Sequence, residues 1–155
     1  MKHTLLTLPI TLLVSSGAFA FEASDFVGLS SLTSTSSTWE NQSGSTMTIV
    51  VDSTGNVTGQ YINRATGTGC QNSPYPISGR VTGNFIAFSV AWENSTENCN
   101  SATGWAGYAQ ATNSSIEIIT NWNLAYQSPS SPMIEQGSDT FTYKPQISSS
   151  AFIKQ

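Results

Sequence analysis

From Thr38 onward, short runs of apolar and β-prone residues alternate with polar turn-forming stretches at close intervals, the pattern of a barrel or sandwich. Met47-Thr48-Ile49-Val50-Val51 leads through Asp52-Ser53-Thr54-Gly55 into Asn56-Val57-Thr58-Gly59-Gln60-Tyr61, the pattern of two strands joined by a hairpin turn. Residues 77–81 and 85–92 flank Thr82-Gly83-Asn84 in the same way, and residues 105–111 and 116–126 flank Thr112-Asn113-Ser114. With residues 39–42 before them and 140–143 after them, the pattern predicts eight strands. No segment longer than about ten residues carries the apolar stripe of a helix.

Consecutive hairpins without a long crossover predict an all-β fold in up-and-down order. Eight antiparallel strands can close into a barrel, which removes exposed edges and leaves an interior fit for one small ligand. A sandwich uses the same strands, and the pattern alone does not separate the two. Longer connections are predicted at residues 64–74, 93–100 and 127–137. Residues 21–37, rich in Ser and Thr, read as a loosely packed lead-in. The barrel is expected over residues 38–145, with residues 146–155 as a tail.

Residues 1–20 read as a secretory signal. Lys2 and His3 begin it, residues 5–14 are apolar, and Ala18-Phe19-Ala20 forms a small-x-small cleavage site. That apolar run is short for a bilayer, and no later segment is a better anchor. The expectation is a secreted or periplasmic protein that begins at Phe21 and has no membrane partner. It keeps four basic residues against nine acids, a net charge of about −5. Such a surface repels phosphate backbones, so nucleic acid is not an expected partner.

Export makes a Cys70–Cys99 disulfide the expected state of the only two cysteines, with two free thiols as the alternative. The exported chain has no histidine. That argues against a metal site and removes Ser–His and Cys–His nucleophilic pairs. No spacing among the nine acids singles out a glycosidase-type pair. No enzymatic activity, metal or cofactor is expected.

Three separated segments set small polar groups beside aromatics: Trp39-Glu40-Asn41-Gln42-Ser43-Gly44-Ser45, Gly59-Gln60-Tyr61-Ile62-Asn63 and Gly137-Ser138-Asp139-Thr140-Phe141. Together they offer donors and an acceptor for a compact polar ligand head. Taken singly, they have plainer readings. Trp39 is a core plug at the closed end of a barrel, the other tryptophans are core aromatics, and Asp139 is a paired turn acid. Asn41, Asn56, Asn94 and Asn113 fit a glycosylation pattern that arises easily in so polar a chain.

These segments, with Val90-Ala91-Trp92, Ser101-Ala102-Thr103-Gly104-Trp105 and Trp122-Asn123-Leu124, occur in an order that resembles the avidin and streptavidin family of biotin-binding proteins. The resemblance runs from about Ser37 to Lys144 and is strongest to the dimeric bacterial members. Streptavidin is the standing example of an eight-stranded barrel that holds one small ligand, so closure is implied by the resemblance and not by the pattern.

The resemblance implies an eight-stranded antiparallel up-and-down β-barrel that binds biotin tightly without transforming it. Asn41, Ser45 and Tyr61 would donate to the ureido oxygen, and Asp139 and Asn63 would accept from the two ureido N–H groups. Trp92, Trp105 and Trp122, with Phe88 and Leu124, would wall the bicycle, and Thr103 would sit near the ring sulfur. Ser101 and backbone amides around Ala65, Thr66 and Gly67 would meet the valerate carboxylate, with the Cys70–Cys99 bridge holding that mouth loop.

Tetrameric members carry a tryptophan before the last strand that covers a neighbouring subunit's site. Residues 127–137 contain no aromatic, which implies a homodimer. Ser43 also departs from streptavidin, which has an apolar residue there. The rival readings are a lipocalin-like carrier or a β-barrel inhibitor, which predict an apolar lumen or an exposed functional loop.

Overall fold

The computed structural model describes residues 26–145, so the expected signal and the C-terminal tail lie outside the described residues. Eight strands follow one another: β1 (Ser37–Asn41), β2 (Thr46–Val51), β3 (Asn56–Ile62), β4 (Pro74–Thr82), β5 (Phe85–Glu93), β6 (Asn98–Ala111), β7 (Ile116–Gln127) and β8 (Pro132–Lys144). Each pairs with its sequence neighbour, and β8 pairs antiparallel with β1, closing the sheet. The expected all-β up-and-down barrel is the observed fold, and the sandwich is excluded.

Burial alternates along the strands. On β5, Ile86, Phe88, Val90 and Trp92 are buried while the residues between them are exposed. Met47, Ile49 and Val51 on β2, Val57 on β3, Ile118 on β7 and Phe141 on β8 complete the interior. Each such side chain contributes roughly 1.5–3 kcal/mol on leaving water. Trp39 plugs one end. It is 0 % exposed, its Nε1–H donates to Ser37 Oγ at 2.9 Å, and it packs edge-on to Tyr143.

Two expectations are corrected. The described part of the lead-in is not loosely packed. A 3₁₀ turn over Leu29–Leu32 buries both leucines, which stand three residues apart and so share one side of a three-residue turn. Ser34 N–H then donates to Val51 O at 2.8 Å.

The strands β6 and β8 also begin earlier than predicted, so the connections expected at residues 93–100 and 127–137 shrink to residues 94–97 and 128–131. Their Ser, Asn, Gly and Pro residues read as turn chemistry. Eleven aligned pairs between β6 and β7, and eleven between β7 and β8, draw them into the sheet. The result is a tall wall on the β6–β8 side of the open end.

Candidate functional site

The β1–β2 turn brings the first two polar groups together. Gly44 takes φ 77°, which the left-handed corner of a three-residue hairpin loop requires. Asn41 Oδ1 consequently accepts the backbone N–H groups of Ser43 at 3.1 Å and Ser45 at 2.9 Å. With its oxygen committed, the Asn41 amide can only donate inward, to Asp139 Oδ1 at 3.0 Å and to the Tyr61 hydroxyl at 3.4 Å.

Asp139, 7 % exposed, is held by three donors. Its Oδ1 accepts from Asn41 and from Gln42 Nε2 at 2.9 Å, and its Oδ2 accepts from Trp105 Nε1–H at 2.8 Å. These charge-assisted bonds compensate the burial of the carboxylate. A carboxylate offers about four lone-pair sites, which leaves one open. Burial first, and then the Asp139 charge, push the Tyr61 phenol well above its ordinary pKa, with a smaller opposing contribution from its hydrogen bond with Ser45. Tyr61 is therefore a protonated donor across the physiological range.

Ser45 Oγ accepts the Arg64 N–H at 2.9 Å, which leaves its own hydrogen for the interior, where Asn63 Oδ1 lies at 3.5 Å. Asn63 Nδ2 is spent on the following loop, donating to Thr68 Oγ1 at 2.8 Å and Gly69 O at 2.9 Å. Its Oδ1 therefore stays turned to the cavity, where it also accepts the Ala65 N–H at 3.0 Å. The disulfide between Cys70 and Cys99, Cα atoms 6.1 Å apart, fastens this loop to the start of β6.

Above the polar cluster stand the indoles. Trp92 Nε1–H donates to Thr103 Oγ1 at 2.8 Å. Trp105 is sandwiched between Tyr61, at a centroid distance of 5.2 Å, and Phe88, at 4.9 Å. Trp122 faces Gly137 across the β7–β8 ladder, and a Cβ there would stand 2.3 Å from Trp122 Cζ2. The indole rests on bare backbone.

These groups line one cavity of about 610 Å³. Of the fifteen positions expected to meet a ligand, thirteen line it: Asn41, Ser45, Tyr61, Asn63, Ala65, Gly67, Trp92, Ser101, Thr103, Trp105, Trp122, Leu124 and Asp139. Phe88 stacks behind Trp105 instead, and Thr66 is an exposed loop residue outside the lining. Gln42 lines the cavity from within the first polar segment without an expected role, and Tyr126 and Glu135 line it although their sequence context gives no sign of it. Only the β8 register, which puts Glu135 opposite Leu124, reveals the last of these.

Among the described residues no buried side-chain nitrogen or oxygen lacks a partner, so the cluster is already ordered. The one grouping with metal-ligand character there, Cys70, Glu97 and Cys99, has its sulfurs joined in the disulfide and offers no thiolate.

A closed barrel with a buried polar cluster under aromatic walls defines a small-molecule-binding barrel. The chain belongs to the avidin family, whose model matches residues 30–144. It is similar to afifavidin of Afifella pfennigii, with 50 % identity over 137 residues, 87 % of this chain and 86 % of that protein. It is also similar to the crystal structure of rhizavidin, with 65 % identity and a TM-score of 0.82 over 86 % of this chain and 100 % of that one. The rhizavidin–biotin complex matches at 68 % identity and a TM-score of 0.74, over 76 % of this chain and 98 % of that one.

Proposed function

We propose that this protein binds biotin in the barrel cavity and does not transform it. The observation that carries the reading is the convergence of Asn41, Ser45, Tyr61, Asn63 and Asp139 beneath Trp92, Trp105 and Trp122. The ureido oxygen accepts from Asn41, Ser45 and Tyr61, and it replaces the long 3.4 Å contact between Asn41 and Tyr61. One ureido N–H takes the free lone pair of Asp139, and the other takes Asn63 Oδ1. Donors on the oxygen and acceptors on the nitrogens polarise the urea in the same sense, so each bond strengthens the others in a dry site.

Thr103 Oγ1 already accepts from Trp92, which leaves its hydrogen for the ring sulfur. Trp122 and Leu124 cover the apolar bicycle. Ser101 and the loop around Ala65, Thr66 and Gly67 border the tail. The similarity to the rhizavidin–biotin complex supports the same ligand here. Biotin–streptavidin is the standing example of affinity near the non-covalent limit, and kinship with that family is the ground for expecting tight binding. An ordered cluster lowers the cost of binding and fits that expectation.

Thermal denaturation with and without biotin tests the reading. A thousand-fold excess over Kd adds about 4 kcal/mol by linkage, which raises Tm by many degrees. An unchanged Tm would favour a lipocalin-like carrier or an inhibitor.

The protein acts outside the cytoplasm, exported by its N-terminal signal. The Cys70–Cys99 bridge supports an oxidising compartment, and mass spectrometry of exported material should find Phe21 at its start. It also acts as a homodimer. The outer face of β5–β8 carries the aligned rows Ala87, Ala106, Asn121, Ser138 and Ala91, Ala102, Ala125, Ile134, none of them charged. Such a face suits sheet-on-sheet packing against a second copy.

A further inference from the structure

Two carboxylates line the cavity, and only Asp139 has a part in holding the urea. The second, Glu135, lies four residues earlier on β8, roughly 13 Å along the strand toward the open end at about 3.4 Å per residue. Both residues point to the interior, since they stand at even spacing on one strand. Tyr126 donates its phenolic hydrogen to Glu135 Oε1 at 2.8 Å, which tethers the acid at the rim. Tyr126 in turn stands opposite Ser101 across β6 and β7. Glu135 thus occupies the region into which the tail of a ligand anchored at Asp139 must run.

Among the described residues no cationic side chain lines the cavity to offset it. Among the described residues, Arg64 is turned to Gly44 O and Thr46 Oγ1, Arg80 to Thr54 O, and Lys144 to Glu40. None of the three lines the cavity. The Ala65 N–H, an otherwise available donor at the mouth, is committed to Asn63. Glu97, in the neighbouring β5–β6 turn, is a further carboxylate beside the disulfide, where it accepts the Cys70 N–H at 3.3 Å, though it does not line the cavity.

A free biotin would bring its own carboxylate into this acidic rim. An amide at the same position carries no charge and offers an N–H that Glu135 can accept. We infer that Glu135 makes the cavity select biotin whose carboxyl group has been converted to an amide, as on the lysine of a biotinylated protein or peptide, over the free acid. The inference rests on the biotin reading. Like charges several ångströms apart in a largely solvated mouth, screened by salt, give a preference of about 3- to 10-fold.

The test compares release of radiolabelled biotin and of its primary amide, each chased with excess unlabelled biotin, from the native protein and from Glu135→Gln. From the native protein at low salt, the free acid should leave about 3- to 10-fold faster than the amide, with the gap narrowing as salt is raised. In Glu135→Gln the gap should largely close, chiefly through slower release of the acid, while Glu135→Asp should retain part of it. Equal release rates from the native protein, or a salt-independent gap that survives in Glu135→Gln, would overturn the inference. The salt series needs no variant and stands even if a substitution disturbs folding. Failure to retain either ligand is a separate outcome: it removes the biotin reading, and the preference falls with it.

Discussion

Asp139, besides its proposed place against a ligand, organises the side chains around it. Its carboxylate is the hub to which Asn41, Gln42 and Trp105 all donate, so it sets the aim of an amide donor and of an indole wall at once. Asp139→Ala should weaken biotin binding by about 2–4 kcal/mol, because a ligand N–H is left desolvated and unpaired. Competition calorimetry measures it, and native affinity in the variant would refute the assignment. Gly137 makes a different case. Gly137→Ala drives a methyl into Trp122, a half-buried side chain of the cavity wall, which must shift to make room. Overpacking of this kind costs about 1–3 kcal/mol, and it should fall on biotin affinity more than on the unfolding free energy.

Tyr61 gives a pH signature. Its pKa is raised on folding, so its contribution to stability is complete below the unfolded value of about 10 and is lost as pH climbs beyond it. Urea titrations should show an alkaline fall in stability that Tyr61→Phe reduces. An equal fall in both proteins would assign the alkaline lability to other groups. The candidate ligand residues were legible because they cluster in short fragments of fixed order. The role of Gln42 was not, since it depends on β8, whose Thr140 N–H it accepts across 98 residues, and Glu135 was not, since it is set by pairing with β7.

Among the elements, the loop over residues 63–73 decides how the mouth is kept. It is held from within by Asn63, whose side chain reaches Thr68 and Gly69 and whose carbonyl accepts the Asn72 N–H at 2.9 Å. From outside it is held by a disulfide spanning 29 residues. Replacing both cysteines with serine should lower stability by about 3–4 kcal/mol through the freed unfolded chain. Biotin release should also quicken, because one anchor of the loop is gone. An unchanged urea midpoint would show that the internal bonds suffice. The hairpins around this loop could be read from the chain because β2, β3 and β5 are short runs rich in β-branched and aromatic residues bounded by turn residues. The first halves of β6 and β8 could not, since their polar side chains bury little and only cross-strand pairing makes them extended. The buried leucines of the lead-in were hidden by the serines and threonines around them.

At the scale of the whole molecule, closure itself was not in the alternation, which a sandwich satisfies equally. It follows from β8 meeting β1, a pairing between opposite ends of the chain. Closure removes every strand edge, so association with a second copy has to use a sheet face. The outer face of β5–β8 is the candidate: three aligned rows of uncharged side chains, small or amide apart from Ile134, with Gly104 in the middle row between Ser89 and Asn123. A pairing of standard size needs about 800 Å² from each partner. Gly104 allows a clean test, because a Cβ there meets nothing within 4 Å. Gly104→Glu should leave the barrel and its biotin-induced rise in Tm intact while burying an unpaired charge in any dimer, a penalty large enough to split it. Analytical ultracentrifugation should find the native protein as a dimer and the variant as a monomer. A variant that still sediments as a dimer would move the contact to another face of the barrel, and a native monomer would show that a single copy is the complete binding unit.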